Sequence, residues 1–143
     1  MLGVGLGCGP EDDAEACVDG PQSVVLGRPQ PFVALADGDA VELVHGVQGG
    51  YHINLAVELR GLGDEVFVEL FGTIDGERLA EDTATITTAC VDGRVVDEAL
   101  RLVWAATPDE LDGATAIVEL RATARDGRSG SATVALVIDD PLR

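Results

Sequence analysis

Residues 114–138, Ala114-Thr-Ala-Ile-Val-Glu-Leu-Arg-Ala-Thr-Ala-Arg-Asp-Gly-Arg-Ser-Gly-Ser-Ala-Thr-Val-Ala-Leu-Val-Ile138, decide the fold class. Ala116, Val118, Leu120, Ala122 and Ala124 alternate with Thr115, Glu119, Arg121, Thr123 and Arg125. A period of two is the period with which strand side chains pass from one face to the other. Asp126-Gly127 interrupts the run, and Ala132, Val134, Leu136 and Ile138 resume it. Asp tolerates the left-handed region and Gly enters it with no Cβ clash, so the pair suits a tight hairpin turn. One apolar and one polar face on each arm mark half-buried antiparallel strands.

The same pattern extends back along the chain. Asp-Gly recurs at 19–20, 37–38, 75–76, 92–93 and 112–113, between runs rich in Val, Thr, Leu and Ala. In 51–60, Tyr51, Ile53, Leu55, Val57 and Leu59 form an apolar row opposite His52, Asn54, Ala56, Glu58 and Arg60. The pattern predicts strands near 22–27, 31–36, 40–46, 51–61, 65–74, 77–90, 94–105, 114–125 and 130–139. The 94–105 run also makes a helical stripe through Val96, Ala99, Leu100 and Val103, and its strand-rich surroundings decide for β. Thr107-Pro108-Asp109-Glu110-Leu111 reads as an N-cap, a proline at the first helical position and one turn of helix. Short strands at this spacing predict an all-β, immunoglobulin-like two-sheet antiparallel β-sandwich of about seven to nine strands. It would occupy residues 22–140, after an acidic arm at 9–21.

Composition narrows the function classes. The chain has 143 residues, one domain's worth, and a net charge of −17 from 26 acidic and nine basic residues, all nine of them Arg. Such a field repels nucleic acid and anionic lipid headgroups and favours cations and basic partners. No segment approaches the 18 apolar residues of a membrane span, so membrane attachment would run only through a lipid anchor. The N-terminus, Met1-Leu-Gly-Val-Gly-Leu-Gly-Cys8, looks like the tail of a clipped bacterial lipoprotein signal (residues 1–8) ending at a lipidation cysteine, Cys8. The basic and most of the apolar parts of such a signal are missing, and a flexible apolar tail is the alternative. With Cys8 assigned to lipid, Cys17 and Cys90 form an even pair suited to a disulfide in an oxidising compartment; the alternative is two buried thiols in a cytosolic protein.

Two stretches resemble known families. Residues 114–138 resemble the closing hairpin of bacterial immunoglobulin-like and PKD-like modules, which end in the same alternating strand, Asp-Gly turn and Ser-Ala-Thr-Val. Residues 35–62 contain Gly46-Val-Gln-Gly-Gly-Tyr-His52 and resemble a family of uncharacterised bacterial lipoproteins with a Gly-x-Gln-Gly-Gly-x-His hairpin in such a sandwich. Val47 stands where that family has proline. The resemblance implies a bacterial cell-envelope location, lipid-anchored and either periplasmic or surface-exposed, and implies no activity.

The segment from His45 to His52 holds both histidines and the single tyrosine. Gln48, Gly49, Gly50, Tyr51 and His52 are therefore the candidate binding residues. His45 and His52 are candidate ligands for copper or zinc. Strand parity places their rings on opposite faces unless a bulge at Leu43–Val44 re-aims one. The structural alternative is that Gln48 or His52 bonds loop backbone groups. Asp37, Asp39 and Glu42, and separately Asp109, Glu110 and Asp112, offer oxygen ligands for calcium without a recognised spacing. Ser23, Ser129 and Ser131 lie in strand or turn positions with no nucleophile-elbow context, and no phosphate loop or dinucleotide fingerprint is present. Trp104 reads as core. Phe67 and Phe71 share a face with Glu69, which is either covered or an aromatic patch for a partner. The expectation is a non-enzymatic envelope lipoprotein, a binding or structural module without cofactor, whose partner is an envelope protein or small ligand. The alternatives are a metal-binding envelope protein and a calcium-stabilised adhesion-type module.

Overall fold

The computed structural model describes residues 17–143. The hairpin of residues 114–138 forms as β9 (Thr115–Ala124) and β10 (Ser129–Asp139), with Val118 opposite Val134 and Leu120 opposite Ala132. Ala124 N–H donates to Arg128 O at 2.7 Å to close the turn, in which Gly127 has φ +94°. Ahead of it in the chain come β1 (Ser23–Arg28), β2 (Val33–Ala34), β3 (Ala40–Glu42) and β4 (Val44–His45). The long strands β5 (Tyr51–Arg60), β6 (Val66–Ile74), β7 (Glu77–Ile86) and β8 (Val95–Trp104) follow, and α1 (Pro108–Leu111) precedes β9. Thr107 caps α1 with the reciprocal Thr107–Glu110 bonds of a capping box.

The expected immunoglobulin-like two-sheet antiparallel sandwich does not form. The strands lie in one hydrogen-bonded sheet in the order β2-β1-β5-β8-β7-β6-β9-β10-β3, with β4 also on β5, curled into a half-barrel. The sheet is mixed, because β3 pairs parallel to β10 through Ala40–Val137 and Val41–Ile138. Its two terminal strands, β2 and β3, are consecutive in the chain and joined by residues 35–39. That short link draws the ends together: Leu35 N–H donates to Leu26 O, while Gly38 N–H donates to Ala135 O. Asp37 Oδ1 accepts from Ala135 N–H at 2.9 Å. The apolar rows of all the long strands therefore face one interior, with Ile53, Leu55, Leu70, Leu102, Leu120 and Leu136 fully buried.

Opposite that closure, β7 and β8 touch through a single register pair, Ala80–Trp104, and Ala105 N–H donates to Leu79 O at 2.8 Å. Beyond it the two edges part. They are blunted by carboxylates: Asp82 accepts from Val103 N–H at 2.7 Å, and Asp97 accepts from Ala99 N–H at 2.9 Å. Occupied N–H groups make a poor template for another strand. Trp104 closes the seam by laying its six-membered ring over Gly72, where a Cβ would collide with it. The loop beyond β7 carries Cys90, which forms a disulfide with Cys17, 73 residues away in sequence and 6.1 Å between Cα atoms. Arg128 Nη1 holds the same arm by donating to Val18 O and Gly61 O, both at 2.6 Å. The staple and clamp tie the arm to the sheet that spans 23–139.

Candidate functional site

The β4–β5 hairpin presents the candidate binding residues. Val44 pairs with His52 and His45 with Tyr51, so residues 46–50 form the turn. Backbone groups close it: Gly46 N–H donates to Gly50 O at 2.7 Å and Gly49 N–H to Gly46 O at 3.1 Å. Gly49 has φ +88°, which a side chain would strain. Closure of the turn is thus made by backbone groups. Val47, at the tip, is fully exposed at 103% and gives the turn an apolar point of contact.

Directly paired residues project to the same side of a sheet and sequence neighbours to opposite sides. His45 thus lies with Tyr51 on the inner side and His52 with Val44 on the outer side. The Tyr51 ring meets the His45 ring edge-on, with centroids 5.2 Å apart and planes at 83°. His45 Nε2 lies 3.0 Å and 3.1 Å from the two carboxylate oxygens of Asp140. A carboxylate only accepts, so Nε2 carries the proton and donates. The Asp140 side chain has no exposed surface, against 31% for His45. Asp140 Oδ1 also accepts from Leu142 N–H at 3.0 Å, and Asp112 Oδ1 accepts from Asp140 N–H at 2.9 Å. This cluster joins the hairpin, the segment after α1 and the C-terminal residues. Nothing in the sequence marked Asp140: an acidic residue following a strand is an ordinary sight, and its burial depends on the curl of the sheet.

His52 has a different environment. Its strand neighbours are Val44 and Val103, with Asn54 and Arg101 one pair further along. Burial, and then the positive charge of Arg101, lower its pKa, while the Asn54 side-chain hydrogen bond opposes the shift. The structure does not bring the two histidines together, and His45 Nε2 is engaged by Asp140. Among the described residues no group of three or more His, Cys, Asp or Glu side chains is placed to hold a metal ion. Five of the six candidate calcium carboxylates have other partners: Asp37 accepts from Ala135 N–H, Asp39 from Ala36 N–H and Asp112 from Asp140 N–H, Glu110 serves the helix cap, and Asp109 pairs with Arg143. Cys8 and the acidic residues up to 16 lie outside the described residues.

Trp104 is core, as its sequence context indicated, and its buried Nε1 has no hydrogen-bond partner among the described residues. Phe67 and Phe71 diverge. Phe71 is 5% exposed beneath two guanidiniums, whereas Phe67 is 44% exposed.

No family model and no curated protein matches the chain. Among solved structures it is similar to the CooA pilin subunit from enterotoxigenic Escherichia coli, at 16% identity over 82% of this chain and 98% of that one, with a TM-score of 0.42. The resemblance of residues 35–62 to an uncharacterised lipoprotein family is therefore corrected: no family model supports it, and the half-barrel is not the sandwich it implied. The lipoprotein and periplasmic assignments drawn from that resemblance fall with it.

Proposed function

We propose that this chain is a non-enzymatic binding or structural module that works outside the reducing cytosol, with the 46–50 turn and the adjoining Tyr51 and His52 as a contact loop. The observation that carries the reading is the Cys17–Cys90 disulfide. Such bridges persist in oxidising compartments and are rare where glutathione and thioredoxin keep thiols reduced. The arrangement of the hairpin supports the binding role: an exposed apolar tip stands on a base held by the His45–Asp140 pair. Rigid scaffolds that present exposed loops commonly bind through them.

Thermal unfolding tests the reading against the metal-binding alternatives. Reductant is expected to lower the melting temperature, and Zn²⁺, Cu²⁺, Ca²⁺ or a chelator to leave it in place. A rise with one of those metals, reversed by chelator, would reassign the protein as metal-binding, because a ligand of the native state stabilises it by mass action. A melting temperature indifferent to reductant would remove the staple on which the compartment rests.

A further inference from the structure

The outer face of β6 carries Phe67, Glu69 and Phe71 in one row. Its cross-strand neighbours are Thr123 and Thr85 beside Phe67, Arg121 and Thr83 beside Glu69, and Glu119 and Glu81 beside Phe71. The two rings receive unequal treatment. Arg78 places its guanidinium carbon 4.2 Å from the Phe71 centroid and Arg121 places its own at 4.8 Å. Glu119 accepts from Arg121 Nε at 3.1 Å, and Glu81 lies 4.0 Å from Arg78 Nη1. The chain thus seals one ring of the row with cations that carboxylates hold in place. Phe67 has carboxylates on both sides, Glu65 and Glu69, in a groove of 340 Å³ that also includes Thr85, Thr123 and Arg125. Arg125 points its charge to Glu65, at 3.4 Å, and among the described residues no guanidinium lies over Phe67.

We propose that Phe67, flanked by Glu65 and Glu69, is a docking seat for an arginine presented by a basic partner protein. This rests on the reading of the chain as a binding module and names the chemistry of its partner. A guanidinium stacks on an aromatic face and donates hydrogen bonds to flanking carboxylates, which matches the arrangement the chain builds for itself at Phe71. The net charge of −17 steers a basic partner toward the surface and repels a second copy of this chain. A neutral sugar could stack on the ring but would make no use of that field.

The test is an NMR titration with a Gly/Ser peptide carrying spaced arginines, against the same peptide with citrulline, the neutral isostere, at each arginine. The arginine peptide is expected to move the Phe67 ring resonances and the Thr85 and Thr123 amides, and the citrulline peptide to leave them in place. Phe67→Leu keeps an apolar side chain at a half-exposed position and is expected to weaken binding about two- to fivefold. Glu65→Gln with Glu69→Gln weakens it again while leaving the ring. Equal affinity of the parent and Phe67→Leu would overturn the proposal, as would shifts scattered over the acidic surface that spare Phe67. Stronger movement of the same resonances by maltohexaose would replace the basic partner with a sugar. Each of these failures leaves the reductant and metal melts unchanged, so they are separable from failure of the module reading.

Discussion

Replacing His45 with alanine removes the donor that faces both oxygens of a carboxylate with no exposed surface. Leaving a fully buried carboxylate without its partner destabilises by up to about 3–5 kcal/mol, because the charge is stranded away from water. Two features reduce that here. His45 is itself 31% exposed, so its removal lets water approach Asp140, and Leu142 N–H still donates to Oδ1. The expected loss is about 2–3 kcal/mol. Asp140→Asn keeps the shape and one acceptor while removing the charge, so it loses less, about 1–2 kcal/mol. The assay is equilibrium urea unfolding of the parent, both single variants and the double variant. With a urea dependence of about 2 kcal/mol per M, His45→Ala lowers the midpoint by about 1 M or slightly more. The double-mutant cycle isolates the pair: His45→Ala in the Asp140→Asn background is expected to lose about 1 kcal/mol less than in the parent. A His45→Ala loss within about 0.5 kcal/mol of zero, the range of an ordinary surface substitution, would refute the reasoning. Strict additivity of the two changes would refute the coupling.

Other consequences follow from single contacts. Cys17→Ser opens a loop of 73 residues and is expected to lower stability by about 4 kcal/mol, read from the urea midpoint under non-reducing conditions. Gly72→Ala drives a Cβ into the Trp104 ring and is expected to cost about 1–3 kcal/mol, with a shift in tryptophan emission. Burial and Arg101 hold the folded His52 pKa below the ordinary value of about 6.5, so the unfolded chain takes up that proton first. This part of the stability is fully present above pH 6.5 and is lost as pH falls from there to the folded pKa; His52→Gln is expected to flatten the melting temperature against pH in that window. Thr107→Ala removes an N-cap and is expected to lower stability by about 1 kcal/mol, measured by calorimetry.

The period-two rows of 115–124 and 129–139 were legible because alternation reports which face of a strand is wet. It does not report which strand lies beside which. That is why the half-barrel was not foreseen: its curl follows from residues 35–39 joining the two terminal strands, a long-range pairing that no local pattern encodes. Two smaller misses have the same origin. Residues 40–46 break at Leu43, where the chain leaves β10 for β5, with Leu43 N–H on Asp139 O at 2.8 Å. Ala56 falls on the polar parity of its strand yet is fully buried; it pairs with Gly27, against which the Phe32 ring lies. The Cys17–Cys90 bridge was legible from the count of cysteines. The His45–Asp140 pair was half legible: parity turned His45 inward, but Asp140 stands 95 residues away and reaches it only in the folded sheet.

The staple between the arm and the β7–β8 loop is the contact on which compartment and stability both turn. Non-reducing proteolysis and mass spectrometry of protein taken from its own cells, with free thiols alkylated at lysis, measures it directly. The expected result is a peptide containing Cys17 covalently joined to one containing Cys90, separated only by reductant. Alkylated thiols at both positions, or a bridge from either to Cys8, would contradict it.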